Sequence, residues 1–257
     1  MGWERRHRWA LREEKHMPAR QHFRRIGLLL PSSNTTQEPE LNRILPDDVT
    51  LHAARLPLRN IDVSSTAQIV EDIEAESRKL ADADVDAIVL AATAPSARQG
   101  LGYDQELIRR IEVASGRKAT TASTALVEAL RALGVERMVI GAPWSDEVNA
   151  TTAAFIEASG FRVLGQRALG LVSNLEIGVL DEQTAYDIAV AVDQPEAQAV
   201  MLACGNWATL GIVERLESAI GKPVLTTNQV SLWGVLRLVG VTDPVFGWGI
   251  LLRDYLG

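Results

Sequence analysis

The feature that most constrains this chain is a rhythm in which short apolar runs rich in β-branched residues alternate with longer amphipathic stretches. Such an alternation reads as successive βα units wound around a parallel sheet. It predicts strands over Ile26–Leu30, Thr50–Leu56, Asp86–Ala91, Arg137–Gly141, Arg162–Ala168, Ala199–Ala203 and Pro223–Thr226. Helices are expected over Ser65–Ala81, Gln105–Ser115, Ser123–Leu133, Ser145–Ala158, Glu182–Val192, Ala208–Ile220 and Asn228–Leu238. Thr226-Thr227-Asn228 supplies a polar cap for the last of these.

The two halves echo each other. Ala87-Ile88-Val89-Leu90-Ala91-Ala92 lies over Ala199-Val200-Met201-Leu202-Ala203-Cys204, and Gly27-Leu28-Leu29-Leu30-Pro31-Ser32 over Val139-Ile140-Gly141-Ala142-Pro143-Trp144. The expected fold is α/β, with two similar flavodoxin- or Rossmann-like lobes facing each other across a cleft. Residues 25–120 with 227–257 would form lobe 1 and residues 121–226 lobe 2. Ligands of open α/β sheets bind at the carboxyl ends of strands, so four strand-end loops would ring the cleft.

Composition narrows the chemistry. The net charge of −7 argues against a nucleic-acid partner. No apolar run reaches the ~20 residues of a membrane helix. Residues 1–25 carry eight Lys/Arg against three acids, and 1–24 are expected to be a basic, disordered or loosely helical tail. One cysteine permits no internal disulfide and suggests a reducing, cytoplasmic setting. All four histidines precede residue 53, so neither a histidine metal centre nor a Ser-His-Asp triad is easily assembled. Gly100-Leu101-Gly102 lacks the third glycine of a dinucleotide fingerprint. No metal or cofactor is expected, and a homo-oligomer stays open.

The strand-end loops hold the candidates. Pro31-Ser32-Ser33-Asn34-Thr35-Thr36 offers hydroxyl, amide and backbone donors to an anion, beyond what a helix cap alone requires. Ala92-Thr93-Ala94 offers the Thr93 hydroxyl. Trp144 is either core filler or an indole N–H donor to a carboxylate, and Asn174 can supply an amide. Cys204 follows its strand directly, ahead of Gly205 and an expected helix N-terminus that would lower the thiol pKa. Gly205 would let backbone approach a ligand. The alternative for Cys204 is an inert core thiol.

These segments resemble the aspartate/glutamate racemase superfamily, in the branch holding maleate cis-trans isomerases and arylmalonate decarboxylases. Arg25-Ile26-Gly27 through Pro31-Ser32-Ser33-Asn34-Thr35-Thr36, Glu38 and Glu40 is similar to the opening motif of maleate isomerases, as is Asn174-Leu175-Glu176-Ile177-Gly178. Thr120-Thr121-Ala122-Ser123-Thr124-Ala125 and Asp146-Glu147-Val148-Asn149 read more like the decarboxylases, and Leu202-Ala203-Cys204-Gly205 fits both. The resemblance places the first cysteine of racemases and isomerases at Ala92; the decarboxylases likewise have a small residue there and keep only the second cysteine, as proton donor. A substrate-binding tyrosine falls at Trp144 and an oxyanion-pocket serine at Ala94, while Thr93 is kept.

The resemblance implies a cofactor-independent decarboxylase of a malonate-type, aryl- or alkyl-substituted dicarboxylate. An enediolate would form and Cys204 would protonate it, with Pro31, Ser32, Asn34, Ala92, Thr93, Trp144, Asn174 and Gly205 around the substrate. The alternatives are a maleate isomerase-like or Asp/Glu racemase-like enzyme, and a non-catalytic carboxylate-binding protein.

Overall fold

The computed structural model describes residues 23–62, 65, 69 and 71–257. The strands separate into two four-stranded sheets, parallel throughout. In the first, β1 (Arg24–Pro31), β2 (Val49–Leu56), β3 (Ala87–Leu90) and β4 (Lys118–Thr121) run in the order β2-β1-β3-β4. In the second, β5 (Arg137–Ala142), β6 (Arg162–Ala168), β7 (Ala199–Leu202) and β8 (Val224–Thr226) repeat it as β6-β5-β7-β8. The inner strands β3 and β7 are buried along their whole length, as continuous apolar runs with helices on both faces should be. β6, at an edge, carries Arg162 and Arg167 and is largely open to solvent, a charge pattern that discourages further strand pairing.

The internal repeat is written into the register. Ile26 pairs with Ala87 and Leu29 with Leu90; Met138 pairs with Ala199 and Gly141 with Leu202. One displacement along the chain carries the first set onto the second, and the same displacement carries Pro31 onto Pro143 and Ala92 onto Cys204. Ala91 N–H to Leu29 O and Ala203 N–H to Gly141 O, both 2.9 Å, are the matching bonds just past β3 and β7.

The helix after the last strand of each sheet follows the same plan. Thr121 Oγ1 accepts from Thr124 N at 3.1 Å and caps helix Ala122–Ala132; Thr226 Oγ1 accepts from Gln229 N at 3.1 Å and caps helix Thr227–Leu238. The two helices pack against each other so closely that a Cβ on Gly234 would stand 2.8 Å from Ala125 Cβ. Helix Thr227–Leu238 also lies on β3 and β4, so the chain leaving the second sheet returns to the first.

Several elements differ from the sequence reading. β4 was not expected, because Lys118-Ala119-Thr120-Thr121 is short and has no apolar run to mark it. The helix expected over Ser65–Ala81 is seen over Ile73–Asp82, its earlier part lying mostly outside the described residues. Short helices at Thr93–Ala97 and Asn174–Gly178 stand where loops were expected. The helix expected from Ala208 begins as a 3-10 turn at Leu210–Ile212 and becomes α-helical at Val213–Ile220. The basic segment read as a tail lies outside the described residues as far as residue 22. Among the described residues no helix is long and apolar enough to cross a membrane.

Candidate active site

The carboxyl ends of the strands in both sheets converge on one small cavity. Pro31 and Asn34 reach it from the end of β1, Ala91–Pro95 from β3, Trp144 from β5, and Cys204, Gly205 and Asn206 from β7. Leu58 and Ile61, past β2, and Asn174, past β6, complete the wall. The last two segments meet as a short antiparallel contact. Asn60 bridges Ser173, Ile61 N–H donates to Val172 O at 2.8 Å, and Asn174 N–H donates to Arg59 O at 3.1 Å. The cavity left between them measures about 20 Å³, roughly the space of one water molecule.

Cys204 is 3% exposed, and its backbone sits at φ +141°. That region is nearly reserved for glycine, and holding another residue there costs about 1–3 kcal/mol. The strain is offset by fixed partners on both sides of the residue. Cys204 N–H donates to Thr227 Oγ1 at 3.0 Å, and Asn206, two residues on, is tied to the loop after β1. Asn206 Oδ1 accepts from Thr35 N at 2.8 Å, its Nδ2 donates to Asn174 O at 2.6 Å, and its carbonyl accepts from Thr36 Oγ1 at 3.1 Å. Farther along, the buried Glu40 carboxylate accepts from Thr209 N, Leu210 N and Asn228 Nδ2 at 3.0, 3.2 and 2.5 Å. Burial raises the Glu40 pKa against the opposing pull of those donors.

The thiol differs from the sequence reading in one respect. A helix N-terminus straight after Gly205 was expected to lower its pKa. Gly205 and Asn206 form a turn instead, and helical structure begins only at Leu210, so no helix starts at the sulfur. Burial pushes the thiol up to about 12, with a backbone hydrogen bond from Asn206 as the smaller, opposing influence. At neutral pH Cys204 is a thiol, a group able to give a proton. Ala92, its counterpart in the other lobe, lies across the cavity lining with nothing to give.

The polar lining consists mainly of amides and a hydroxyl. Asn34 Oδ1 accepts from Thr36 N and Gln37 N at 3.0 and 2.9 Å, ahead of helix Gln37–Asn42, whose N-cap is Thr36, yet its Nδ2 is buried without a partner. Asn174 Nδ2 donates to Ser33 Oγ at 2.8 Å, and its Oδ1 is likewise buried and unpartnered. Buried polar atoms left unpaired are uncommon in a packed interior, and here two belong to side chains lining one cavity. Thr93 Oγ1 lies 2.8 Å from Thr227 Oγ1.

Of the residues singled out from sequence, Ser32 alone falls outside the lining. It is exposed, and its hydroxyl exchanges hydrogen bonds with the backbone of Leu58. Trp144 presents its ring to the cavity wall, while its Nε1–H is directed at Asn149 Oδ1, 3.4 Å away, rather than left as a carboxylate donor. Gly205 lines the cavity, but the close approach it permits is to Gln37, whose amide would lie 2.9–3.1 Å from an added Cβ. Leu58, Ile61, Asn206, Glu40 and Thr227 were not singled out for the site. Thr227 and Glu40 carried a signal as part of a cap and of a motif, and Asn206 as part of the loop Cys204-Gly205-Asn206-Trp207. Among the described residues no group of three or more His, Cys, Asp or Glu side chains is placed to hold a metal ion.

A family model described as arylmalonate decarboxylase matches residues 26–252. A maleate isomerase of Pseudomonas putida is 29% identical over 241 residues, covering 89% of this chain and 96% of that protein. An arylmalonate decarboxylase of Bordetella bronchiseptica is 27% identical over 217 residues, covering 84% and 90%. Among solved structures, a mutant of the maleate cis-trans isomerase of Nocardia farcinica with a covalently bound succinylcysteine intermediate superposes with a TM-score of 0.86 at 28% identity, over 90% of this chain and 99% of that one. A double mutant of arylmalonate decarboxylase in its liganded form gives 0.84 at 26% identity, over 90% and 99%.

Proposed function

The chain belongs to the arylmalonate decarboxylase family, and from that premise we propose that it decarboxylates a small malonate-type dicarboxylate without a cofactor, Cys204 supplying the proton. The observation that carries this reading is the single buried, neutral thiol at the cleft with Ala92 at the matching position of the other lobe. A two-base racemase needs an acid–base group on each face of the reacting carbon. Here one face has none.

The bond between the α-carbon and one carboxylate breaks, and its electron pair moves into the remaining carboxyl group as an enediolate while carbon dioxide leaves. Leu58, Ile61, Trp144 and Pro95 give the site apolar surface against which a carboxylate loses its hydration, favouring its departure. The developing negative oxygen takes hydrogen bonds from Thr93 and from the unpaired Asn34 Nδ2; one well-aimed donor is worth roughly 3–4 kcal/mol. The Cys204 S–H bond then breaks as its proton goes to the α-carbon. An enediolate carbon is basic enough to take a proton from a weak acid, and a thiolate disfavoured by burial promptly recovers one from solvent.

A second reading, cis–trans isomerisation of a small dicarboxylate, draws support from the unpaired Asn34 and Asn174 atoms, which suit gripping two carboxylates, and from the maleate isomerase relatives. Addition of sulfur to a double bond needs a thiolate, however, and burial works against one. Release of carbon dioxide from methylmalonate and phenylmalonate tests the proposal. Wild-type protein should release it and Cys204→Ala should not, while calorimetric binding of the diacid survives in the variant. Binding by the wild type with no release would make the protein a carboxylate binder.

A further inference from the structure

Thr227 stands where the two lobes touch. It opens the helix that leaves β8, is wholly buried, and places Oγ1 3.0 Å from Cys204 N and 2.8 Å from Thr93 Oγ1. A backbone N–H can only donate, so Thr227 Oγ1 accepts from Cys204. Among the described residues its only other partner is Thr93 Oγ1, the one acceptor to which its single proton can be directed. Thr93 is itself held from behind, its carbonyl accepting from Ser96 Oγ at 3.1 Å and Ser123 Oγ at 3.2 Å. Among the described residues Thr227 is the one partner of Thr93 Oγ1, and Thr93 lines the cavity.

We propose that Thr227 is a positioning residue that fixes the polarity of this chain. Cys204 N–H donates to Thr227, Thr227 donates to Thr93, and the Thr93 proton is thereby turned into the cavity toward the substrate oxygen. Hydrogen bonds aligned in one sense polarise one another, so the terminal donor is stronger than a lone hydroxyl. The arrangement also ties the donor on one lobe to the backbone of the proton-giving residue on the other. Its benefit to turnover rests on the decarboxylase reading; the direction of the chain does not.

A double-mutant cycle with neutron diffraction tests it. Thr227→Val should lower kcat roughly 10- to 100-fold, the scale of weakening one oxyanion donor, with KM changing little. Thr227→Ser should restore most of the loss. In a Thr93→Val background, adding Thr227→Val should change kcat less than about two-fold, because the residue acts through Thr93. An equal loss in both backgrounds would overturn the proposal. Neutron diffraction of deuterated wild-type crystals reads the polarity directly. A deuteron on Thr227 directed at Thr93, with that of Thr93 in the cavity, supports it; a Thr93 deuteron directed at Thr227 overturns it, whatever the substrate. If the wild type acts on no malonate while the neutron map shows the expected order, the functional reading fails and the relay stands.

Discussion

At the scale of single residues, the site turns on how one thiol is kept protonated. Among the described residues no cation acts on the Cys204 thiolate, and burial lifts its pKa from the ordinary 9.0 to about 12. Iodoacetamide should therefore alkylate the folded protein far more slowly at pH 7.5 than a free thiol, with the rate still climbing above pH 9; rapid labelling at pH 7.5 would mean a thiolate. The same shift affects stability. Between pH 9 and about 12 the unfolded chain releases this proton while the folded chain keeps it, so the stability Cys204 contributes is complete below pH 9 and lost as pH rises through that window. Denaturant titrations across this range should show a steeper fall for wild type than for Cys204→Ser. Across the cleft, Ala92→Cys would restore a thiol to the second face. The monoacid from an α,α-disubstituted malonate, supplied as one enantiomer in D₂O, should then lose optical purity as deuterium enters, whereas the wild type should leave it unchanged.

Elements place these residues through contacts that no local pattern announces. Helix Thr227–Leu238 crosses Ala122–Ala132 at Gly234, where an added methyl group would collide with Ala125. Gly234→Ala should thus destabilise by about 1–3 kcal/mol although alanine is the better helix former, lowering Tm by several degrees in a thermal melt. An unchanged or higher Tm would mean the two helices can move apart. Glu40 shows a related dependence on distance. It lies in helix Gln37–Asn42 yet caps the turn at Thr209–Leu210. Its raised pKa means its contribution is full below about 4.5 and declines as pH climbs through the raised value, so the Tm deficit of Glu40→Gln should shrink from pH 4 upward. The strands, most helices and the repeat were legible in the sequence because apolar periodicity is local and strong. β4 was not, since Lys118-Ala119-Thr120-Thr121 gains its burial only from β3 beside it. Cys204, Asn34, Thr93 and Asn174 could be found from position after a strand. Thr227, Asn206 and Glu40 could not be assigned a part in the site, because their partners lie tens of residues or more away. The pKa of Cys204 was misjudged for the same reason: the expected helix end was a local inference, while burial is a property of the packed whole.

At the scale of the molecule, two copies of one βα plan face each other, and their difference defines the chemistry. The matching loops end in Ala92 on one side and Cys204 on the other, so the cleft inherits the symmetry of the fold without symmetry of acid–base groups. A one-sided site suits a reaction that delivers one proton once. The most direct test is proton NMR in D₂O of the purified protein with methylmalonate, phenylmalonate, maleate and D- and L-aspartate, beside Cys204→Ala. Loss of one carboxylate from a malonate, with a single deuterium at the α-carbon and no reaction in the variant, is the predicted result. Conversion of maleate to fumarate with every malonate left intact would contradict the account and make Cys204 an isomerase thiol.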